Sequence, residues 1–224
     1  MALSRTVKTT EVVVSKLFPA GCGWQAASIL ADTANYLPTT IPFFLTVGLG
    51  EGLAVGIGHL TYYKIKKNIV DKDINMSQQF SSALQLGTAA TMSGTIWQPT
   101  VNLFSDYGFL ASSLGVVGIC GLTFYSGLRF SRTLYGNLLG LQLEKKNKEN
   151  NRNDALLSVS VAGAAGLFVA TDVSLANNFL EPYFGITETM TNLSGVGTAG
   201  LSTAVGFTTI QLFQNIFVKK NWID

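Results

Sequence analysis

The chain has 224 residues, of which 12 % are charged, and its formal net charge is +2 at pH 7. The charged fraction is about half that of an ordinary soluble domain, and the small net charge argues against a nucleic-acid-binding protein. Two cysteines and a single histidine fit no metal-ligand or redox spacing, so we expect no enzyme activity, no catalytic residue, no bound metal and no cofactor.

The basic residues predict a membrane topology. All 15 Lys and Arg residues fall into four clusters, and the three gaps between clusters hold 47, 56 and 66 residues. Each gap is long enough for two helical crossings of about 20 residues and a turn. Because cations favour the cytoplasmic side of a membrane, all four clusters should share that side. The clusters are Arg5–Lys16, Lys64–Lys72, Arg129–Arg152 and Lys219–Lys220.

The predicted fold is therefore all-α: a polytopic integral membrane protein with six transmembrane helices in three helical hairpins. Both termini lie on the same inside face. A six-helix membrane domain covers 20–217, with hairpins at about 20–66, 79–134 and 155–217, and it contains a polar loop at 144–154. A polar tail follows at 218–224. The approximate spans are 21–37, 41–63, 79–98, 108–130, 156–180 and 191–217.

Residues 1–19 precede the first span and carry three cations but no long apolar stretch. They therefore lack the pattern of a secretory signal peptide. The pattern favours an interfacial amphipathic segment, and an organellar targeting segment is the alternative.

A recurring plan favours an internal threefold repeat. In each hairpin a more polar helix ends near a proline (Pro38, Pro99, Pro182), and a glycine-rich, more apolar helix follows. The alternative is that helix, proline, turn and helix are a common way to build any membrane hairpin.

The second helices of the hairpins carry small residues at helical spacing. Small residues let membrane helices approach closely, so we expect these helices to form a close-packed interior or a contact between copies. A glycine-lined pore is the alternative. The residues concerned are Gly48, Gly52, Gly56, Gly115, Gly118, Gly121, Gly197 and Gly200.

Among the Asp, Glu and His residues, four fall inside predicted spans: Glu51, Asp32, Asp172 and His59. An ionisable group at the bilayer centre costs about 2.5–3.5 kcal/mol on insertion scales, so each calls for an explanation. One hypothesis places the three carboxylates around a polar cavity that binds a cation or a proton, with His59 on its inner rim. The other has them hydrogen-bonded within the bundle, where they fix helix register.

These features favour a small channel or transporter for an ion or small polar solute, with intramembrane carboxylates lining the path. The alternative is a non-catalytic structural or assembly subunit of a larger complex or an envelope. The expected partners are the lipid bilayer and either further copies of the chain or other membrane subunits. Either function implies a multi-pass membrane location, and which membrane is left open.

Overall fold

A computed structural model describes residues 11–107, residues 109–139 and Ser158, and within them the structure contains helices and turns but no strand. A π-helical turn at Val13–Leu17 precedes the first helix, and a 3₁₀ turn at Ser105–Tyr107 follows the third. The all-α prediction is confirmed for this part of the chain. The helices are α1 (Phe18–Thr33), α2 (Ile41–Ile69), α3 (Met76–Phe104) and α4 (Phe109–Leu139).

The π turn before α1 is explained by the proline that follows it. Pro19 has no N–H to donate to the carbonyl of Ser15, and its ring would crowd that carbonyl in a regular α-helix. The backbone widens instead, and the N–H of Phe18 bonds to the carbonyl oxygen of Val13, five residues back. Gly58 of α2 makes room for this wider turn, because a Cβ there would lie 3.2 Å from the Ser15 carbonyl oxygen.

A tight turn joins α1 to α2. Asn35 has a left-handed backbone conformation with φ of 59°, which Asn tolerates better than most residues. The N–H of Tyr36 then bonds to the carbonyl oxygen of Ala31 at 2.9 Å. Pro42 occupies the first turn of α2, where a missing N–H costs nothing. Because the chain turns at Asn35, α1 ends four residues before the predicted limit at residue 37.

Two further helix limits differ from the prediction. α2 continues beyond residue 63 to Ile69, so its last turns include Lys66 and Lys67. α3 runs through Pro99 to Phe104, whereas the predicted span ends at residue 98. Pro99 has no N–H to donate to the Thr95 carbonyl, so this one helix hydrogen bond is missing. The hydroxyls of Thr95 and Thr100 bond to other carbonyls, each four residues back.

Successive helices pack side by side in antiparallel order. Between α2 and α3, Gly48 lies beside Thr95 and His59 lies beside Gln79, so the contacts run in opposite directions along the two helices. The contacts of α1 with α2 and of α3 with α4 follow the same rule. One apolar cluster joins all four helices and consists of Ala20, Val55, Leu86, Ala89, Ala90, Phe124 and Leu128.

Glycines bring α2 and α3 into close contact. A Cβ on Gly48 would lie 2.6 Å from the Thr91 carbonyl oxygen, and a Cβ on Gly52 would lie 2.5 Å from the Gly87 carbonyl oxygen. Neither position accepts a side chain unless the helices separate. Gly56, the third member of the predicted ridge, is looser, since an added Cβ would have its nearest neighbour at 3.5 Å.

The glycines of α4 have other surroundings. Gly115 lies against the ring of Phe104, Gly118 has open space around it, and Gly121 is buried. The extended contacts of α2 are with α1 and α3, and those of α4 are with α3. The described glycines therefore lie between helices that follow one another in the chain. The prediction had the second helices of the hairpins packing on one another, and this part of the chain does not show that arrangement. Gly197 and Gly200 lie outside the described residues.

The described cations all lie in the same half of the bundle. α1 and α3 begin in that half, and α2 and α4 end there. The opposite half of the described bundle contains no Lys or Arg, in keeping with an inside face and an outside face. We refer to the half with the cations as the inner half. The residues are Lys16, Lys64, Lys66, Lys67, Lys72, Arg129 and Arg132.

α2 presents an apolar stripe to its surroundings. Seven Leu and Ile side chains, most of them four residues apart, are 48–77 % exposed. In a soluble monomer such a surface would be a liability, whereas a helix that faces lipid needs it. The stripe consists of Ile41, Leu45, Leu49, Leu53, Ile57, Ile65 and Ile69.

Two described helices are long and apolar enough to cross a membrane, α2 and the Leu114–Asn137 part of α4. Only 28 % and 33 % of their most apolar stretches are buried inside the protein. They are thus unlike the core helices of a soluble domain, which are mostly buried. This supports the predicted membrane location.

The two described hairpins differ, since the opening helix has 16 residues in the first and 29 in the second. The described residues therefore give no support to a threefold repeat. Several predictions lie outside the described residues: residues 1–10 of the N-terminal segment, the polar loop 144–154, the hairpin 155–217 apart from Ser158, and the tail 218–224.

Candidate ion site in the helix bundle

The structure separates the four predicted path residues. Glu51 and His59 are buried in the bundle, whereas Asp32 is exposed near the end of α1. Asp172 lies outside the described residues. The described residues show no cavity that joins Asp32 to Glu51, because Asp32 lies in the outer half of the bundle and Glu51 in its interior.

Glu51 occupies the middle of the bundle. It comes ten residues after Ile41 on α2, which is about 15 Å along the helix and close to the centre of an apolar layer about 30 Å thick. Its side chain is 9 % exposed. No other Asp or Glu of the described chain lies at this height, since the rest are near the bundle ends or in the connecting turns.

The carboxyl group of Glu51 points to α3. Its Oε2 atom lies against Gly94, and a Cβ built on Gly94 would collide with that oxygen. The same Cβ would be 3.1 Å from the Cα of Gly48, one turn before Glu51. Cys120 of α4 is within electrostatic range of the carboxyl. Glu51 thus lies where α2, α3 and α4 come together.

The hydroxyl groups around Glu51 bond to backbone carbonyls. Ser93 Oγ donates to the Cys120 carbonyl at 3.3 Å, and Thr95 Oγ1 donates to the Thr91 carbonyl at 2.8 Å. Within the described residues, no hydrogen bond and no opposite charge reaches the Glu51 carboxyl.

The described residues also offer no metal site at this position. No group of three or more His, Cys, Asp and Glu side chains comes together among them. Among the described residues this site has one carboxyl, which can hold a proton or supply a carboxylate ligand to a passing cation.

A second polar region lies in the inner half, and we name it the inner polar cluster: Glu11, Ser15, His59, Tyr63, Lys66 and Gln79. Gln79 Oε1 can only accept, so His59 Nε2 donates to it, at 3.0 Å. His59 Nδ1 and Ser15 Oγ are buried with no hydrogen-bond partner among the described residues. The His59 ring also lies 4.7 Å from the Tyr63 ring, centroid to centroid.

Glu11 holds the N-terminal segment against α2. Its carboxylate accepts hydrogen bonds from the hydroxyl of Tyr63 and from Nζ of Lys66, the latter at 2.9 Å. Burial raises the pKa of Glu11, but these two hydrogen bonds and the charges of Lys66 and Lys16 outweigh burial and leave the pKa below its ordinary value.

Glu51 and the inner polar cluster are separate features. Glu51 and His59 are eight residues apart on α2, which is about 12 Å along the axis. No contact between described residues joins them directly. His59 therefore belongs to the packing between the N-terminal segment, α2 and α3, and not to the surroundings of Glu51.

Several residues of these two regions are absent from the sequence-based candidates. Gly94 and Cys120 come close to Glu51 only through the packing of α3 and α4, which the sequence does not reveal. Gln79 carries a weak signal, since it is an amide in the first turn of α3 at the height of His59. Glu11 is the single acid of the first nineteen residues, and that isolation is the signal that could have identified it.

In comparisons with known proteins, the chain matches no family model, no curated protein and no solved structure.

Proposed function

We propose that the protein is a small membrane channel or transporter for an ion, with Glu51 in the conduction path. One observation carries this proposal. The Glu51 carboxyl is buried at mid-height of a bundle with an apolar outer surface, and no described residue pairs with it. Ionisable groups within membrane spans are rare and commonly mark ion and proton pathways.

The free-energy cost of burying the Glu51 carboxyl favours a functional role for this residue over a purely structural one. Placing an ionisable group at the bilayer centre costs about 2.5–3.5 kcal/mol on insertion scales. A Leu at position 51 would avoid this cost. Because no described hydrogen bond depends on the carboxyl, retaining it needs a reason other than packing.

The proposal includes six crossings. α1 and α3 lie alongside α2 and α4, so four antiparallel helices would cross together if α2 and α4 span the bilayer. The predicted spans 156–180 and 191–217 would complete the bundle, with both termini inside. The distribution of Lys and Arg along the whole chain supports this arrangement.

Reconstitution into liposomes tests the proposal. The wild type should dissipate an imposed gradient of at least one cation among H⁺, Na⁺ and K⁺, and Glu51→Gln should remove that flux while the protein stays folded. Asp32→Asn is the matched control, since it also neutralises a carboxylate but at an exposed position, and its flux should equal that of the wild type.

A structural or assembly subunit is the second candidate. The exposed apolar stripe of α2 favours it, because the same surface that faces lipid can pack against a partner helix. A structural subunit should give no flux of H⁺, Na⁺ or K⁺, either as the wild type or as Glu51→Gln. This candidate also predicts that a polar substitution in the stripe, such as Leu53→Gln, would release the chain from a stable complex.

A further inference from the structure

We infer that Glu51 binds a proton and not a metal cation. The role of this proton in transport rests on the proposed function, whereas its binding to Glu51 does not. The relevant structure is the meeting point of α2, α3 and α4. There a single carboxyl group lies against Gly94, with Cys120 nearby and no described counter-charge.

Metal cations need several oxygen ligands. Calcium takes six to eight oxygens and magnesium six, and potassium filters use rings of backbone carbonyls in place of water. Around Glu51 the described backbone is helical, so its carbonyl oxygens are engaged in helix hydrogen bonds, except that of Thr95, which Pro99 leaves without an N–H. The hydroxyls of Ser93 and Thr95 donate their hydrogens to carbonyls. Together with the Glu51 carboxyl, these described groups supply fewer oxygens than the six or more that calcium and magnesium take.

A proton needs one oxygen. A carboxyl group that has taken up a proton is uncharged, and this form suits an apolar interior with no cation beside it. A reversible proton site needs a carboxyl with no permanent positive charge beside it, and the described residues place none there. A permanent Lys or Arg partner would hold the carboxylate ionised and block protonation.

The neighbouring titratable groups do not change this assignment. α4 contributes Cys120, and His59 lies about 12 Å further along α2. α1 contributes Cys22 and, at its exposed end, Asp32. α3 contains no Asp, Glu, Lys, Arg, His, Cys or Tyr. Within the described chain, Glu51 is therefore the one carboxyl at this height that can exchange a proton.

The closing experiment is labelling of the purified full chain in lipid vesicles with the apolar reagent dicyclohexylcarbodiimide. A protonated carboxyl adds across a C=N bond of the carbodiimide, and the adduct rearranges to a stable N-acylurea with the mass of one added reagent. We expect one adduct, mapped to Glu51 by peptide mass spectrometry and lost in Glu51→Gln. A water-soluble carbodiimide should label exposed acids such as Asp32 and Asp73 but leave Glu51 unmodified.

The dependence of Glu51 labelling on pH and on added cations then distinguishes a proton site from a metal-cation site. Labelling of Glu51 should fall as pH rises, by about tenfold per pH unit beyond the midpoint, because a single proton occupies the site. Excess Na⁺, K⁺ or Ca²⁺ at constant ionic strength and pH should leave the rate unchanged. Protection by any one of these cations, or no adduct at Glu51 at any pH, would overturn the inference.

The labelling experiment tests the proton site, and the flux experiment tests transport, so the two proposals can be rejected independently. A pH-dependent adduct without flux would keep Glu51 as a proton site and reject transport. Flux that depends on Glu51, together with protection by a metal cation, would keep transport and reject the proton as the ion.

Discussion

The Glu51 carboxyl occupies the space that a side chain at position 94 would fill. Glu51 belongs to α2 and Gly94 to α3, so this fit joins the two helices at mid-height in the bundle. The flexible end of a Glu side chain can move away, whereas the backbone at Gly48, on the other side, cannot. The position of the carboxyl therefore depends on the absence of a side chain at residue 94.

Gly94→Ala should disturb the ion site and cost some stability. The added methyl group meets Glu51 Oε2, which can rotate away, and lies 3.1 Å from the Cα of Gly48, which is backbone and moves less easily. We expect at least a several-fold change in flux and in carbodiimide labelling of Glu51, with a smaller loss of stability in detergent than in Gly48→Ala, where the new Cβ meets backbone at 2.6 Å. Gly118→Ala is the matched control, because a Cβ there has open space. Equal flux from both variants and the wild type would contradict the placement of the carboxyl.

Gly48→Ala should destabilise the α2–α3 contact. The new Cβ meets the Thr91 carbonyl, which is backbone and cannot give way unless the helices separate. Overpacking of this kind costs about 1–3 kcal/mol. Gly56→Ala is the control on the same helix, since its Cβ would make ordinary contact at 3.5 Å. Denaturation of the two variants in the same detergent measures the difference, and a loss of the same size in Gly56→Ala would argue against the close contact.

The sequence predicted the described helices well and their packing less well. Apolar length, the basic clusters and the turn residues place α1 to α4 near the predicted first four spans. Glycine spacing correctly drew attention to Gly48 and Gly52, but spacing within one helix cannot reveal which helix lies opposite. The sequence predicts a helix end at residue 98, before Pro99, whereas α3 continues through the proline to Phe104.

Glu11→Gln should lower stability near neutral pH and have little effect in acid. The folded-state pKa of Glu11 is below its ordinary value of 4.5, so the carboxylate stabilises the fold above that value. This contribution is lost as pH falls through the folded-state pKa. We expect a loss of about 1.5 kcal/mol at pH 7, the lower end of the range for a hydrogen bond to a charged group, and a progressively smaller loss as pH falls below 4.5.

Thermal unfolding at a series of pH values measures this dependence. Asp73→Asn is the control, since Asp73 is an exposed acid in the turn between α2 and α3. A loss in Glu11→Gln that is the same at pH 3 and pH 7 would show that the carboxylate charge is not what holds the N-terminal segment on α2.

Gln79→Leu should destabilise the inner polar cluster. It leaves His59 Nε2 buried without an acceptor, which costs about 1–3 kcal/mol. Gln78→Leu is the neighbouring control, because Gln78 is exposed and its side chain has no contact with His59 in the described structure. Chemical denaturation of both variants gives the comparison. Equal stability of the two would argue against the His59–Gln79 hydrogen bond.

The candidate site was predictable only in its central residue. An acid in the middle of an apolar helix stands out in any sequence, so Glu51 could be identified, as could the single histidine. The grouping of Glu51 with Asp32 was less secure, because residue positions along separate helices do not give their depth or exposure. Asp32 follows the last buried residue of α1 and is exposed, which separates it from Glu51.

Proton flux into vesicles that contain the purified protein tests the central claim most directly. A pH-sensitive dye inside the vesicles should report acidification when a potassium diffusion potential, negative inside, is imposed on the wild type. Glu51→Gln, reconstituted at the same density, should reduce the rate to that of protein-free vesicles, while Asp32→Asn should keep the wild-type rate. A wild-type rate no greater than that of empty vesicles, or undiminished flux in Glu51→Gln, would contradict the account.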